Sequence, residues 1–499
     1  MSRRRLRALL ACLATAALLG PLAYLWATSL MPDDYSVMGM GYEDFGGGTR
    51  AVGVSGAGDS VRHSGTHAGG ISVTDLVDDP EREPDVTIRM VARAERFDLA
   101  SGRSVAGFTL NGESPGPTIR AVEGQMVEVR LVNESVPDGM TLHWHGLDVP
   151  NAMDGVAGVT QDAVQEGESY TYRFVADQVG TFWYHSHQVS HEQVRGGLLG
   201  ALVVDPKDMD ARVLDVPALV HLYEGVRTVN GEDGELRAAA APGTTVRVRV
   251  INTDNGPMPV WVSGTSYRVL AVDGTEVNRP TPVTGKAASL TAGGRYDLEV
   301  VMPQDGSGVR VELGGNAAVV LGSESSDVAE SPPPSDELDL LSYGSPAAIG
   351  FDPADATRSF EYVIGRRPGF LNGRPGFWWT INGHMFPNVP MFMVSQGDIV
   401  TVHIENKSGK GHPMHLHGHH VVVLGRDGVA ATGSPWWTDS LDVADGEEYD
   451  VAFLADNPGV WMDHCHNLPH AAEGLVSHLM YTGFRTPFKV GGNADNEPE

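Results

Sequence analysis

One short unit occurs three times along this chain, and it limits the possible fold more than any other feature. A glycine and one polar residue lead into a strand of alternating apolar and polar side chains that closes on an asparagine. The copies are Gly124-Gln125 with Met126 to Val132 and Asn133, Gly243-Thr244 with Thr245 to Val250 and Asn252, and Gly397-Asp398 with Ile399 to Ile404 and Asn406. Alternation with period two turns one face of each strand to a core and the other to solvent. Val86 to Val91 alternates in the same way, and no long helical period occurs. The reading is an all-β chain of sandwiches or barrels, and the threefold recurrence implies three related β domains. A chain of 499 residues is too long for one compact core.

The N-terminus precedes these domains. Arg3, Arg4, Arg5 and Arg7 lead into an apolar run from Leu9 to Leu30, the form of an export signal. The run is long for a cleaved signal and Ala27-Thr28-Ser29 is a poor cleavage site, so a retained membrane anchor is an equal reading. Ser2-Arg3-Arg4 with Leu6 loosely matches a twin-arginine signal. Either way an extracellular or cell-surface protein is expected. Residues 1–31 are read as this signal or anchor, 32–84 as a flexible linker rich in Gly, Asp and Ser, and 85–210, 211–345 and 346–499 as the domains. Ser331-Pro332-Pro333-Pro334 marks the link between the second and third. A formal charge of −29 argues against nucleic acid or an anionic membrane surface as a partner. Of two cysteines, Cys12 lies in the apolar run, so Cys465 is the one thiol of the folded body.

Four segments hold ten of the nineteen histidines: His143-Trp144-His145, His185-Ser186-His187, His412-Pro413-Met414-His415-Leu416-His417 and His464-Cys465-His466 with His470. Each carries a His-x-His step in a β context. On a strand the two imidazoles share a face and the middle residue points away. Paired imidazoles suit copper, zinc or iron. In the last segment Cys465 faces opposite to His464 and His466, so its thiolate can serve one metal while its neighbours serve another. Cys465, His470 and one further histidine make the His₂Cys set of a blue copper site.

In this order the four segments resemble the copper motifs of multicopper oxidases, over roughly residues 85–488. The resemblance implies three consecutive cupredoxin-like Greek-key β-sandwich/barrel domains and four coppers per chain. It implies type 1 copper on His412, Cys465 and His470, and type 2 copper on His143 and His415. It implies a type 3 pair on His145, His185 and His466, and on His187, His417 and His464. Asp154, in Met153-Asp154-Gly155, matches the family's acid near the cluster, and together with Cys465 it is taken as catalytic. The implied activity is a laccase-like oxidation of phenols or similar one-electron donors, with dioxygen reduced to water. A metal-ion substrate, Cu(I), Mn(II) or Fe(II), is the alternative within the family; a non-enzymatic copper-binding protein is the alternative outside it. A copper nitrite reductase would lack the paired His-x-His motifs.

Two positions depart from the common bacterial pattern. Leu475, ten residues after Cys465, stands where the axial Met is often found, as in leucine-bearing fungal laccases, and a non-donating side chain favours a high potential. Met480 reads as a packed strand residue instead. Ala471 stands where some relatives place a proton-supplying Glu, so Asp463 or Glu473 is a candidate substitute. His419, His420 and His478 read as supporting or core residues, and His191, His221, His384 and His403 carry no pattern. His63 and His67 belong to the linker. Met391 and Met393 read as alternate strand positions rather than a Met-rich copper site.

Overall fold

The protein is described by a computed structural model over residues 3–48, 70–323, 326 and 328–499. The repeated unit has the same neighbours each time. Met126–Asn133 lies parallel to Val86–Asp98 and antiparallel to Ser169–Val175. Thr245–Asn252 lies likewise between Leu214–Tyr223 and Arg295–Val301. Ile399–Asn406 lies between Arg358–Leu371 and Glu448–Leu454.

Its two invariant features have physical causes. Gly124, Gly243 and Gly397 take φ of +82°, +79° and +84°, a turn that a side chain resists. The three asparagines are buried, and each carboxamide clasps the loop that follows its strand to a second loop. Asn133 Nδ2 donates to Val136 O (2.9 Å) and Val164 O (2.8 Å), and Asn252 Nδ2 to Gly256 O and Leu290 O (both 3.0 Å). Asn406 Nδ2 donates to Lys410 O (2.6 Å) and Val443 O (2.8 Å). A buried amide with its donors occupied is favourable only where both loops are in place.

Each unit belongs to one of two packed sheets, giving three sandwiches in succession. The sheets have four and four, seven and six, and seven and six strands. The inward faces of each pair form one apolar core: around Trp144 and Val129 in the first, Val248 and Val319 in the second, and Val400 and Trp461 in the third. At about 1.5–3 kcal/mol per buried large apolar side chain, these cores dominate the stability.

The histidine motifs lie on the sheet that faces the repeated unit. His143–His145 is an edge strand against Gly180–His185, with His143 opposite His185. In the third sandwich His412–Leu416 runs between Ser440–Val443 and Val460–Cys465, with Met414 opposite Cys465 and His415 opposite His464. No copper motif falls in the second sandwich.

The stretch read as a flexible linker, 32–84, is partly built into the body. Asp34–Tyr35 pairs with Val490–Gly491, Tyr42–Asp44 extends the third sandwich's sheet beside Pro390–Val394, and Ile71–Ser72 pairs with Phe484–Arg485. Its Gly-rich composition hid these strands, which run only two or three residues. His63 and His67 lie outside the described residues. The Arg3–Thr28 helix has no buried residue and is long and apolar enough to cross a membrane. The Pro-rich link is also fastened: Ser331 Oγ accepts from Trp261 Nε1 at 3.0 Å, and Tyr343 OH donates to Thr281 O at 2.8 Å.

Candidate metal centre

Eight of the ten motif histidines meet between the first and third sandwiches, all buried. His145 stacks on His415 at 3.7 Å between ring centroids, and His143 on His417 at 3.9 Å. Most of these rings are held outward through one nitrogen and face the centre with the other. His143 Nδ1 donates to Asp154 O (2.8 Å), His415 Nδ1 to Asp439 O (2.8 Å) and His185 Nδ1 to Ser186 O (2.9 Å). His187 Nδ1 donates to Pro498 O (3.0 Å), and His417 Nδ1 to an Asp154 carboxylate oxygen (3.1 Å). His145 is reversed, with Nε2 on Asp439 (3.1 Å) and Ser440 (3.0 Å).

The inward nitrogens are left without partners. His143 Nε2, His145 Nδ1, His185 Nε2, His415 Nε2 and both nitrogens of His466 are buried with no hydrogen bond. His417 Nε2 and His187 Nε2 lie 3.1 and 3.4 Å from His464 Nε2, so lone pairs face one another. Burial first, and neighbouring rings second, hold His185, His187, His417, His464 and His466 well below the usual imidazole pKa, so the rings stay neutral. Neutral imidazoles oriented by outward hydrogen bonds, with orphaned nitrogens converging, are the donor set of a metal cluster. The residues fit copper, for which imidazole is a suitable ligand.

On the other face of the Val460–Cys465 strand lies a second set. Cys465 Sγ is 3.5 Å from His412 Nδ1 and 3.8 Å from His470 Nδ1, and the two nitrogens are 3.2 Å apart. That triangle is the size that a three-coordinate ion with bonds of about 2.0–2.3 Å spans. Ser408 Oγ sits 2.8 Å from His412 Nε2 and fixes that ring. His470 is delivered by the short Leu468–Ala472 helix. Burial pushes the Cys465 thiol far above its usual pKa, so a thiolate here needs a cation beside it. His412 is held down to about 3, by burial and then by His470, and His470 to about 4, by burial and then by Lys410 and Arg366. Leu475 is buried in the same core as Cys465, whereas Met480 packs in a separate cluster with Met391 and Met393.

Asp154 stands beside the cluster, its carboxylate 3.1 Å from both His143 Nδ1 and His417 Nδ1. The two candidate proton donors are placed elsewhere. Glu473 accepts from Trp379 Nε1 at 2.9 Å on the Cys465 side, and Asp463 accepts from Ser477 Oγ at 2.7 Å. Glu499 is closer to the cluster, with Oε1 3.0 Å from His464 Nδ1, and burial raises its pKa to about 8. His419 joins His417 O to Tyr481, His420 lies 3.2 Å from Asp439, and His478 is buried in the core, all supporting positions.

Three residues of the centre carried no signal in the sequence. Asp439 contacts both His145 and His415. Arg295, from the sandwich without copper motifs, donates to Asp439 Oδ1 (2.7 Å) and to Thr181 O of the first sandwich (3.0 Å). The middle sandwich therefore clamps the other two. Trp379 lies against both His412 and His470, with centroids 4.7 and 4.6 Å away.

Comparison with known proteins agrees with this geometry. Residues 92–209 and residues 365–482 each match a family model described as multicopper oxidase. Laccase-1 of Botryotinia fuckeliana is 28% identical, over 76% of this chain and 79% of its own. The multicopper oxidase MmcO of Mycobacterium tuberculosis is 27% identical, over 81% and 88%. A crystal structure of a multi-copper oxidase from Pseudomonas thermotolerans superposes with a TM-score of 0.66 at 27% identity, covering 79% of this chain and 99% of that one. The fold is thus that of consecutive cupredoxin-like sandwiches, and the chain belongs to the multicopper oxidase family, copper-dependent oxidoreductases with type 1, type 2 and type 3 sites that pass electrons from a reducing substrate to dioxygen.

Proposed function

We propose that this protein is a laccase-like oxidase of small organic one-electron donors, with His412, Cys465 and His470 holding type 1 copper and the other eight histidines holding the trinuclear cluster. In that division His143 and His415 hold type 2 copper, and the type 3 pair takes His145, His185 and His466, and His187, His417 and His464. The observation that carries it is the set of buried imidazoles with one nitrogen anchored and the other orphaned toward a shared centre. Bound there, copper supplies the one-electron steps and the site of dioxygen reduction. The chain supplies the arrangement. Cys465 is covalently joined to His464 and His466, the shortest protein path between the two sets. Asp154 and Asp439 orient four imidazoles, and Asp154 is placed to handle a proton at His417 Nδ1. Leu475 presents an apolar wall beside the thiolate. We further propose domain limits of 85–210, 211–345 and 346–499, and a body held outside the cell membrane.

An organic donor is favoured over a metal ion by the rim of the His470 side. Arg366 and Lys410 lie there as cations, and both are exposed. Trp379 provides an aromatic wall, and Glu473 on this side accepts from Trp379 Nε1. The exposed positive charges of Arg366 and Lys410 disfavour the approach of a metal cation. Dioxygen uptake by copper-loaded protein with phenols, aromatic diamines, Fe(II), Mn(II) and Cu(I) tests this. Faster turnover of phenols or diamines is expected; higher kcat/KM for a metal ion would overturn it.

A further inference from the structure

We propose that the donor site works at a membrane surface and takes electrons from an amphiphilic hydroquinone or phenol carried in the bilayer. This rests on the organic-donor reading above and narrows it.

The N-terminal helix is fastened to the wall of the type 1 site. Arg358–Leu371 and Arg374–Ile381 form a hairpin that turns at Asn372-Gly373. Asn372 N donates to Ser29 O at 3.0 Å and Gly373 N to Ser29 Oγ at 3.1 Å, one residue past the helix end. Trp26 and Leu30 lie against Gly373. Strand Asp34–Tyr35 then joins the body. Five residues lie between Thr28 and Asp34, so the two are six Cα steps apart, a reach of about 22 Å at most at 3.3–3.6 Å per residue. The folded body therefore cannot leave the helix end. The 26-residue helix is about 39 Å long at 1.5 Å per residue, enough to cross a hydrocarbon core of about 30 Å. The arginines at its start favour the cytoplasmic side, which leaves the body on the outer face.

The same hairpin leads from the bilayer to the metal site. Trp379 touches His470, and on its face the register sets Phe377 opposite Pro368 and Pro375 opposite Phe370, out to the turn. Phe377 is 61% exposed, the highest value, together with Val429, among the body's described large apolar side chains. From Trp379 to Gly373 is six residues, about 20 Å along a strand. Arg366, Arg367 and Arg374 are exposed on this hairpin although the chain carries a net charge of −29. Aromatic and apolar side chains among cations suit a headgroup layer with anionic lipid. In the reaction, two hydroquinones each lose two electrons and two protons, giving two quinones, and one dioxygen takes up all four of each to form two waters.

The test uses the full-length, copper-loaded chain in vesicles of phosphatidylcholine with phosphatidylglycerol. Dioxygen uptake is measured with an alkyl-tailed hydroquinone confined to the bilayer and with a water-soluble phenol. The variant Phe377→Asp with Arg374→Glu should lose about tenfold or more of the bilayer-donor rate while keeping the aqueous rate within about twofold; Phe377→Leu should keep both. Equal bilayer rates for wild type and the charge-reversed variant would overturn the proposal. So would oxidation of the aqueous phenol without oxidation of the bilayer donor, an outcome that leaves the organic-donor reading standing. Failure with both donors overturns that reading itself. A nitroxide at Phe377→Cys, in a Cys12→Ser chain, reads the contact independently of turnover: relaxation by dioxygen over an aqueous nickel complex is expected, and the reverse contradicts the docking.

Discussion

Arg295→Met separates the middle sandwich's part from that of the copper motifs. Arg295 and Asp439 are both almost wholly buried, and the guanidinium joins Asp439 to Thr181 O. Methionine keeps much of the volume and removes the charge, leaving Asp439 unpaired by any arginine. Breaking one side of a buried pair costs about 3–5 kcal/mol. Because Asp439 also orients His145 and His415, the loss should reach the cluster. Removing such an outer partner typically weakens metal binding about 10–100-fold. His412, Cys465 and His470 touch neither residue, so the blue absorption should stay. Limiting copper titration, with absorption and electron paramagnetic resonance for the separate sites, reads both. Asp439→Asn added to Arg295→Met should recover part of the stability, since no unpaired charge then remains. A variant with an unchanged denaturation midpoint and intact trinuclear copper would refute the clamp.

Three other expectations follow from the same geometry. Cys465→Ser should abolish the blue absorption and turnover while the trinuclear coppers stay, as metal analysis would show. Leu475→Met, close to volume-conserving and costing under about 1.5 kcal/mol, should lower the type 1 potential; a redox titration showing no change or a rise would mean that Leu475 does not face the metal. His420 is lowered by burial but raised more by Asp148 and Asp439, to a pKa of about 10 from 6.5. Its contribution to stability is then fully present below pH 6.5 and lost as pH rises toward about 10, so His420→Gln should flatten the fall of the denaturation midpoint across that window.

Much of this organisation was legible in the residues. Period-two alternation and the Gly-strand-Asn unit report local geometry, a left-handed turn and a loop clasp, and local geometry repeats with sequence. The His-x-His steps announce a shared face for the same reason. What stayed hidden depends on pairings across the chain. Asp439 and Arg295 are 144 residues apart, and each alone reads as an ordinary surface charge. Glu499 reaches His464 only because the C-terminal residues fold back over His187 and Ser190. The segment 32–84 reads as solvated because its strands are too short to show a period. Glu473 was a sensible proton donor by position, but the turn after the Leu468–Ala472 helix sends it to Trp379 on the other side of the strand.

Metal content measured against absorption tests most directly whether the eleven side chains form a one-copper and a three-copper site in a single chain. Fully loaded protein should hold four coppers per chain, with an intense thiolate band that vanishes on reduction and a near-ultraviolet shoulder from the type 3 pair. Zinc in their place, or one copper with the blue band and no shoulder, would contradict the account.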